Sequence, residues 1–164
     1  MILYFAYGSN MHPRVMAARC PGARPLGAAR LDGWRFFINK RGSASIWPNE
    51  RCAVHGVLWL CRLAHIHALD AYEGVAWRNY FRRRLIVAGA GTEAGAFVYT
   101  GNRHLHGVAR PNYLLSAVIP GARAFGLPGD YIAHLESWLP RCPLGAHGPG
   151  RQYTGRRRPV RFPR

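Results

Sequence analysis

The sequence predicts an α+β fold: a compact mixed or antiparallel sheet, able to close as a barrel, with flanking helices. Two observations carry that expectation. Strand-like stretches rich in aromatic and β-branched residues fill the first two thirds of the 164 residues, and helical patterns fill the last third. A hydrophobic content of 49%, with 12% aromatics, suffices for one core in a chain of this length. No internal repeat or interior boundary is visible. Residues 1–140 are expected to form a single domain, and residues 141–164 a basic arm rich in Pro, Gly and Arg.

The elements follow in order. Ile2 to Tyr7 is an apolar strand that breaks into Gly8-Ser9-Asn10, residues that favour turns. His12 to Arg19 reads as a short helix with Pro13 in its first turn, stopped by Cys20-Pro21-Gly22. Ala28 to Asn39 is a strand with an irregularity at Asp32-Gly33. Ser43 to Trp47 is a short strand ended by Pro48-Asn49, and Ala53 to Leu60 is another, where Gly56 marks a bulge or a close backbone approach. The period then changes: Leu63, Ile66 and Leu69 fall at helical spacing in Arg62 to Tyr72, and Glu73-Gly74 closes that helix. Tyr80 to Ala88 and Ala94 to Thr100 form a hairpin about Gly89 to Glu93. A helix is expected from Pro111 to about Phe125, and a second from Asp130, its N-cap, to Trp138.

Charge narrows the chemistry. Lys and Arg number 23 against 7 Asp and Glu, a net charge of +16, and Lys40 is the only lysine. Such a surface attracts polyanions without naming a partner, and arginine richness of this kind also follows from a GC-rich genome. Only seven carboxylates are available as a base: Asp32, Asp70, Asp130, Glu50, Glu73, Glu93 and Glu136. The four cysteines, Cys20, Cys52, Cys61 and Cys142, are widely spaced and form no C-x-x-C pair. With no secretory signal at the start and no apolar run of membrane-spanning length, a reduced cytoplasmic protein with buried thiols is expected.

Two constellations could carry a reaction. At Tyr7-Gly8-Ser9-Asn10 a strand ends in a loop whose backbone can approach a ligand and whose amides can converge on an anion or carbonyl oxygen. At Tyr72-Glu73-Gly74 a carboxylate sits at a helix end near apolar residues, where a raised pKa and general-base work are plausible; ion pairing with Arg78 or Arg82 to Arg84 is the plainer alternative. His65-Ile66-His67 and His104-Leu105-His106 fit no common zinc spacing, and Gly89-Ala90-Gly91 lacks the dinucleotide glycine pattern. Ser9 lacks the Gly-x-Ser-x-Gly elbow of a nucleophile.

Taken together, Tyr4-x-x-Tyr7-Gly8-Ser9-Asn10-Met11, Tyr72-Glu73-Gly74 and Tyr80, seven residues beyond the glutamate, closely resemble the gamma-glutamylcyclotransferase family. The likeness continues through Ala96-Phe97-Val98-Tyr99, Pro111-Asn112-Tyr113 and Gly126 to Tyr131, with a weaker echo at Tyr153-Thr154-Gly155. The resemblance implies a barrel-like cavity for a gamma-glutamyl group and no metal or organic cofactor. It also implies Glu73 as the base that takes a proton from the substrate α-ammonium, so that the amine attacks its own γ-carbonyl and releases 5-oxoproline with an amine or amino acid. Tyr7, Gly8, Ser9, Asn10, Met11, Tyr80, Tyr99 and Tyr113 would bind the substrate, the tyrosines lining the pocket and donating hydrogen bonds. The loop amides would hold either the α-carboxylate or the oxyanion.

The motifs fix the glutamyl half and not the leaving group. Arg82-Arg83-Arg84 would favour an acidic leaving group if it reached the pocket mouth, and would otherwise lie mostly in solvent along a strand. Two other classes stay open: a ligand-binding module on the same fold without turnover, and a basic protein associated with nucleic acid through the tail Arg151 to Arg164.

Overall fold

The computed structural model describes residues 1–89, 91–101 and 106–139. Five strands form a closed barrel in the order β1-β3-β2-β4-β5: β1 is Ile2–Ala6, β2 Arg24–Ile38, β3 Ala44–Cys61, β4 Tyr80–Gly89 and β5 Thr92–Gly101. Neighbours are antiparallel except at the closure, where β1 and β5 run parallel with Tyr4 opposite Phe97. The sheet is therefore mixed, and helices α1 (Pro13–Arg19), α2 (Leu63–Glu73), α3 (Ile119–Ala124) and α4 (Gly129–Glu136) flank it.

The barrel is built on one long hairpin. β2 and β3 pair from Arg24 opposite Leu60 to Ile38 opposite Ala44, with register shifts between Pro25 and Gly27 and between Asp32 and Trp34. The second shift is the expected irregularity, with Gly33 at a φ of +78° that a side chain would resist. Two expectations change here. β2 begins at Arg24 rather than Ala28, and β3 is one strand through Pro48 rather than two. Pro48 stands opposite Trp34, the first pair after the bulge, where a proline's missing N–H costs the ladder least. Gly56 is the expected close approach: a Cβ there would lie 2.2 Å from the Ala6 carbonyl oxygen and 2.8 Å from the Phe5 ring.

The helices bring three further corrections. Ile66 and Leu69 are fully buried, but Leu63, at the start of α2, is largely exposed. The helix expected from Pro111 starts later, because Asn112 takes the left-handed region at φ +58°, and Leu114–Val118 is wound as a π-helix before α3 begins. Pro120 explains the wide turn: it has no N–H for the carbonyl one turn back, and the backbone accommodates the gap by loosening. Pro128, not Asp130, is the N-cap of α4; Asp130 lies inside the first turn, where its charge suits the helix dipole.

The core joins barrel and helices: Phe5, Leu31, Phe36, Ile46, Val54 and Val98 from the strands pack in one cluster with Met16, Ile66, Leu69, Leu114 and Tyr131. Cys20, Cys52 and Cys61 are buried, while Cys142, the arm at 141–164, Tyr153-Thr154-Gly155 and His104 lie outside the described residues. Among the described residues no helix is long and apolar enough to cross a membrane, and no three His, Cys, Asp or Glu side chains converge as a metal site.

Candidate active site

At the end of β1 the chain passes Tyr7 and Gly8 and makes a 3-10 turn, Ser9–Met11. This turn, the C-terminus of α2, the 41–44 segment and the segment around Arg110 to Tyr113 enclose a cavity of about 240 Å³. Tyr7, Gly8, Ser9, Asn10, Glu73, Tyr80, Tyr99 and Tyr113 all line it, together with Tyr4, Arg41, Ser43, Ala44, Tyr72, Asn79 and Arg110. Barrel closure thus gathers residues from six separate stretches of sequence.

Met11 does not line the cavity. A 3-10 turn rotates each residue by about a third of a circle, so Ser9 and Asn10 face the cavity and Met11 faces the core. There it is fully buried, within 2.8 Å of where a Cβ on Gly121 would stand. Gly8 is a close approach: a Cβ would sit 3.0 Å from the Tyr113 phenol oxygen and 3.2 Å from Ala44 Cβ.

The tyrosines do not all play the part expected of them. Tyr7 donates its hydroxyl to the Tyr99 carbonyl at 2.5 Å, Tyr80 donates to the Ala44 carbonyl at 2.7 Å, and Tyr99 donates to Asp70 Oδ1 at 2.7 Å. These three protons are committed to the protein, so the rings shape the wall and the hydroxyls tie the barrel together. Tyr113 differs, because its oxygen accepts from the Ala44 N–H at 3.3 Å and is bonded by the Ser9 backbone as well. An oxygen that accepts twice has its own proton to give. Burial raises the pKa of Tyr4, Tyr7, Tyr80, Tyr99 and Tyr113, and the charge of Glu73 adds to each, so all five stay neutral phenols at physiological pH.

Glu73 is the last residue of α2. Gly74 ends the helix in the left-handed conformation, φ +66°, its N–H returning to the Ala71 and Asp70 carbonyls, so the chain turns away and leaves the carboxylate at the cavity. Its one side-chain hydrogen bond among the described residues comes from Asn10 Nδ2, at 3.4 Å. Burial among phenols pushes its pKa up to about 7, against the pull of Arg19 and Arg110. Such a carboxylate takes up or releases a proton near neutrality. The alternative of a surface ion pair does not hold: Arg82 instead pairs with Asp70 and lies over the Phe97 ring, outside the cavity.

Several site residues escaped the sequence reading. Arg19 bonds Ser9 Oγ at 3.0 Å and Asn10 Oδ1, and lies 3.4 Å from the centre of the Tyr72 ring. Asn39 donates to the Tyr80 hydroxyl at 2.9 Å while its Oδ1 accepts from the Arg41 and Ser43 amides, fixing both a tyrosine and a loop. Tyr4, which accepts from Asn10 at 2.8 Å, was within sight in the Tyr-x-x-Tyr string.

Residues 4–133 match the family described as gamma-glutamyl cyclotransferase, AIG2-like. The chain belongs to that family. The matched span holds every residue lining the cavity, so the pocket is part of what the gamma-glutamyl cyclotransferase likeness covers. Gamma-glutamylcyclotransferases of Homo sapiens and Bos taurus are each 30% identical over 149 residues, covering 84% of this chain and 79% of theirs. A solved gamma-glutamyl cyclotransferase superposes with a TM-score of 0.79 at 27% identity, covering 90% of this chain and 93% of the other. A crystal structure of an uncharacterized human protein gives 0.78 at 28% identity over the same shares.

Proposed function

We propose that this chain is a gamma-glutamylcyclotransferase: it releases 5-oxoproline from a gamma-glutamyl compound by attack of the substrate's α-amine on its own γ-carbonyl. The observation that carries the reading is a carboxylate poised near neutrality, walled by neutral phenols and facing a cavity of about 240 Å³, room for a gamma-glutamyl group. Glu73 takes a proton from the α-ammonium, and the freed amine closes a five-membered ring on the γ-carbonyl carbon. As the tetrahedral centre collapses, Glu73 returns that proton to the leaving nitrogen, the C–N bond to it breaks, and the regenerated carboxylate takes the second proton from the ring nitrogen, leaving the lactam N–H. Nucleophile and electrophile belong to one molecule, so much of the acceleration comes from holding the glutamyl chain in its folded conformer, a task for rigid tyrosine walls. Tyr113, which lines the cavity and whose oxygen accepts from the Ala44 N–H, would donate its proton to the oxygen that becomes negative. Arg41 and Arg110, which line the cavity without an ion-pair partner among the described residues, suit the carboxylates of a gamma-glutamyl amino acid better than a neutral gamma-glutamyl amine.

The test is 5-oxoproline release from a panel of gamma-glutamyl amino acids and amines by wild type and Glu73→Gln. The expected outcome is turnover by the wild type, lost by at least about a hundredfold in the variant, with substrate binding kept. Equal turnover by the variant would remove Glu73 from its role. Binding without product in the wild type would make the chain a ligand-binding module on this fold.

A further inference from the structure

Among the cations near the cavity, Arg19 is the one whose side chain hydrogen-bonds the turn that lines it. It is the last residue of α1, half-buried, and its guanidinium meets three groups from two other segments: Ser9 and Asn10 in the turn after β1, and the face of Tyr72, which precedes Glu73 on α2. Arg19 Nη1 donates to Asn10 Oδ1, so the Asn10 amide is fixed with its NH₂ group on the other side. That NH₂ reaches the Tyr4 hydroxyl at 2.8 Å and Glu73 Oε1 at 3.4 Å. Freed from Arg19, the amide could rotate and turn its carbonyl lone pairs towards the carboxylate, a repulsive arrangement.

We infer that Arg19 is a positioning residue for the reaction: through Asn10 and Tyr72 it sets the orientation of the Glu73 carboxylate, and it keeps a positive charge beside that group. The inference rests on the reading of Glu73 as the base. Neutral phenols face Glu73 from β1 and the residue after it, β4, β5 and the segment before α3; they are Tyr4 and Tyr7, Tyr80, Tyr99 and Tyr113. Arg19 and Arg110 are the cations that oppose its burial, Arg19 the stronger. A lysine could supply the charge. It could not keep both Nη1 bonds, to Ser9 Oγ and Asn10 Oδ1, while setting a planar guanidinium 3.4 Å from the centre of the Tyr72 ring.

Two variants separate these contributions. Arg19→Gln removes the charge and keeps hydrogen-bonding capacity; Arg19→Lys keeps the charge and removes the planar guanidinium. The readouts are the Glu73 titration midpoint, followed by NMR with carboxyl-labelled glutamate, of which the chain has only Glu50, Glu73, Glu93 and Glu136, and the kinetics of 5-oxoproline release. Arg19→Gln is expected to move the midpoint upward from about 7, with the acidic limb of the rate profile following it. Arg19→Lys is expected to leave the midpoint near its wild-type value while kcat falls by about ten- to a hundredfold, the usual cost of a misplaced reacting group. A midpoint unmoved in Arg19→Gln, or an unchanged kcat in Arg19→Lys, overturns the assignment. Absence of 5-oxoproline release by the wild type would instead sink the proposed function, and the titration arm would still decide whether Arg19 governs Glu73.

Discussion

In the proposed reaction a single carboxylate, Glu73, links this protein's stability to its chemistry with opposite signs. Its pKa in the fold, about 7, lies above the ordinary 4.5. A raised pKa means that the folded state holds the proton more tightly than the unfolded chain. The resulting stability is fully present below about pH 4.5 and is lost as pH rises through about 7. At pH 8 the buried charge costs the fold up to about 3 kcal/mol. Glu73→Gln should therefore melt several degrees above wild type at pH 8, an advantage that disappears near pH 4, which calorimetry at the two pH values would show. With Glu73 as the proposed base, activity would run the other way: kcat/KM should fall below about pH 7, where the carboxylate is protonated, and level off above it. Glu73 was legible from sequence because a helix period ends in Tyr-Glu-Gly, with the glycine as a stop signal. Arg19 was not, since nothing local distinguishes it from the many other arginines; its partners reach it only through folding.

Two connecting segments, rather than the strands themselves, shape the cavity mouth. Asn39 bridges to His106, and Gly107 N–H bonds the Ile38 carbonyl at 2.8 Å. Gly42, at φ +73°, lies against Arg110, whose N–H bonds the Gly42 carbonyl at 3.1 Å. This clasp holds Arg41 and Arg110 at the same cavity, with Arg110 5.0 Å from the centre of the Tyr113 ring. Arg110→Ala should raise KM about tenfold for substrates whose leaving group carries a carboxylate, and leave KM for gamma-glutamyl amines nearly unchanged. The comparison belongs at pH 8 or above, because Arg110 also lowers the pKa of Glu73. An equal effect on both substrate classes would assign Arg110 to the glutamyl half instead. The sequence offered Arg82 to Arg84 for this task, because three adjacent arginines are conspicuous. Two isolated arginines nearly 70 positions apart are not, and their meeting depends on the clasp.

At the scale of the whole molecule, the sequence reading found the α+β class and nearly every element, because period and turn residues are local signals. It broke β3 at Pro48 and began the helix before α3 too early, since a bulge opposite a proline and a left-handed asparagine answer to their neighbours in space. The barrel's tightest seam is where β3 crosses β1 at Gly56. Gly56→Ala would drive a methyl group into the Ala6 carbonyl and the Phe5 ring, with rigid backbone on one side. The expected cost is about 3 kcal/mol, or a Tm lower by about 10 °C, measurable by thermal unfolding; a change below about 1 °C would show that β1 can slide away from β3.

The closure between β1 and β5 has a consequence in time. Tyr7 and Tyr99, joined by a hydrogen bond, stand 92 positions apart, and Tyr4 meets Phe97 over a similar separation. Contacts of such sequence span are entropically late in folding, because the intervening chain must be organised before its ends can meet. β1 is made well before β5, yet is therefore among the last strands to be finished. A growing chain carries the turn after β1 long before β5 is made, yet has no pocket until β5 has emerged and the barrel has shut around it.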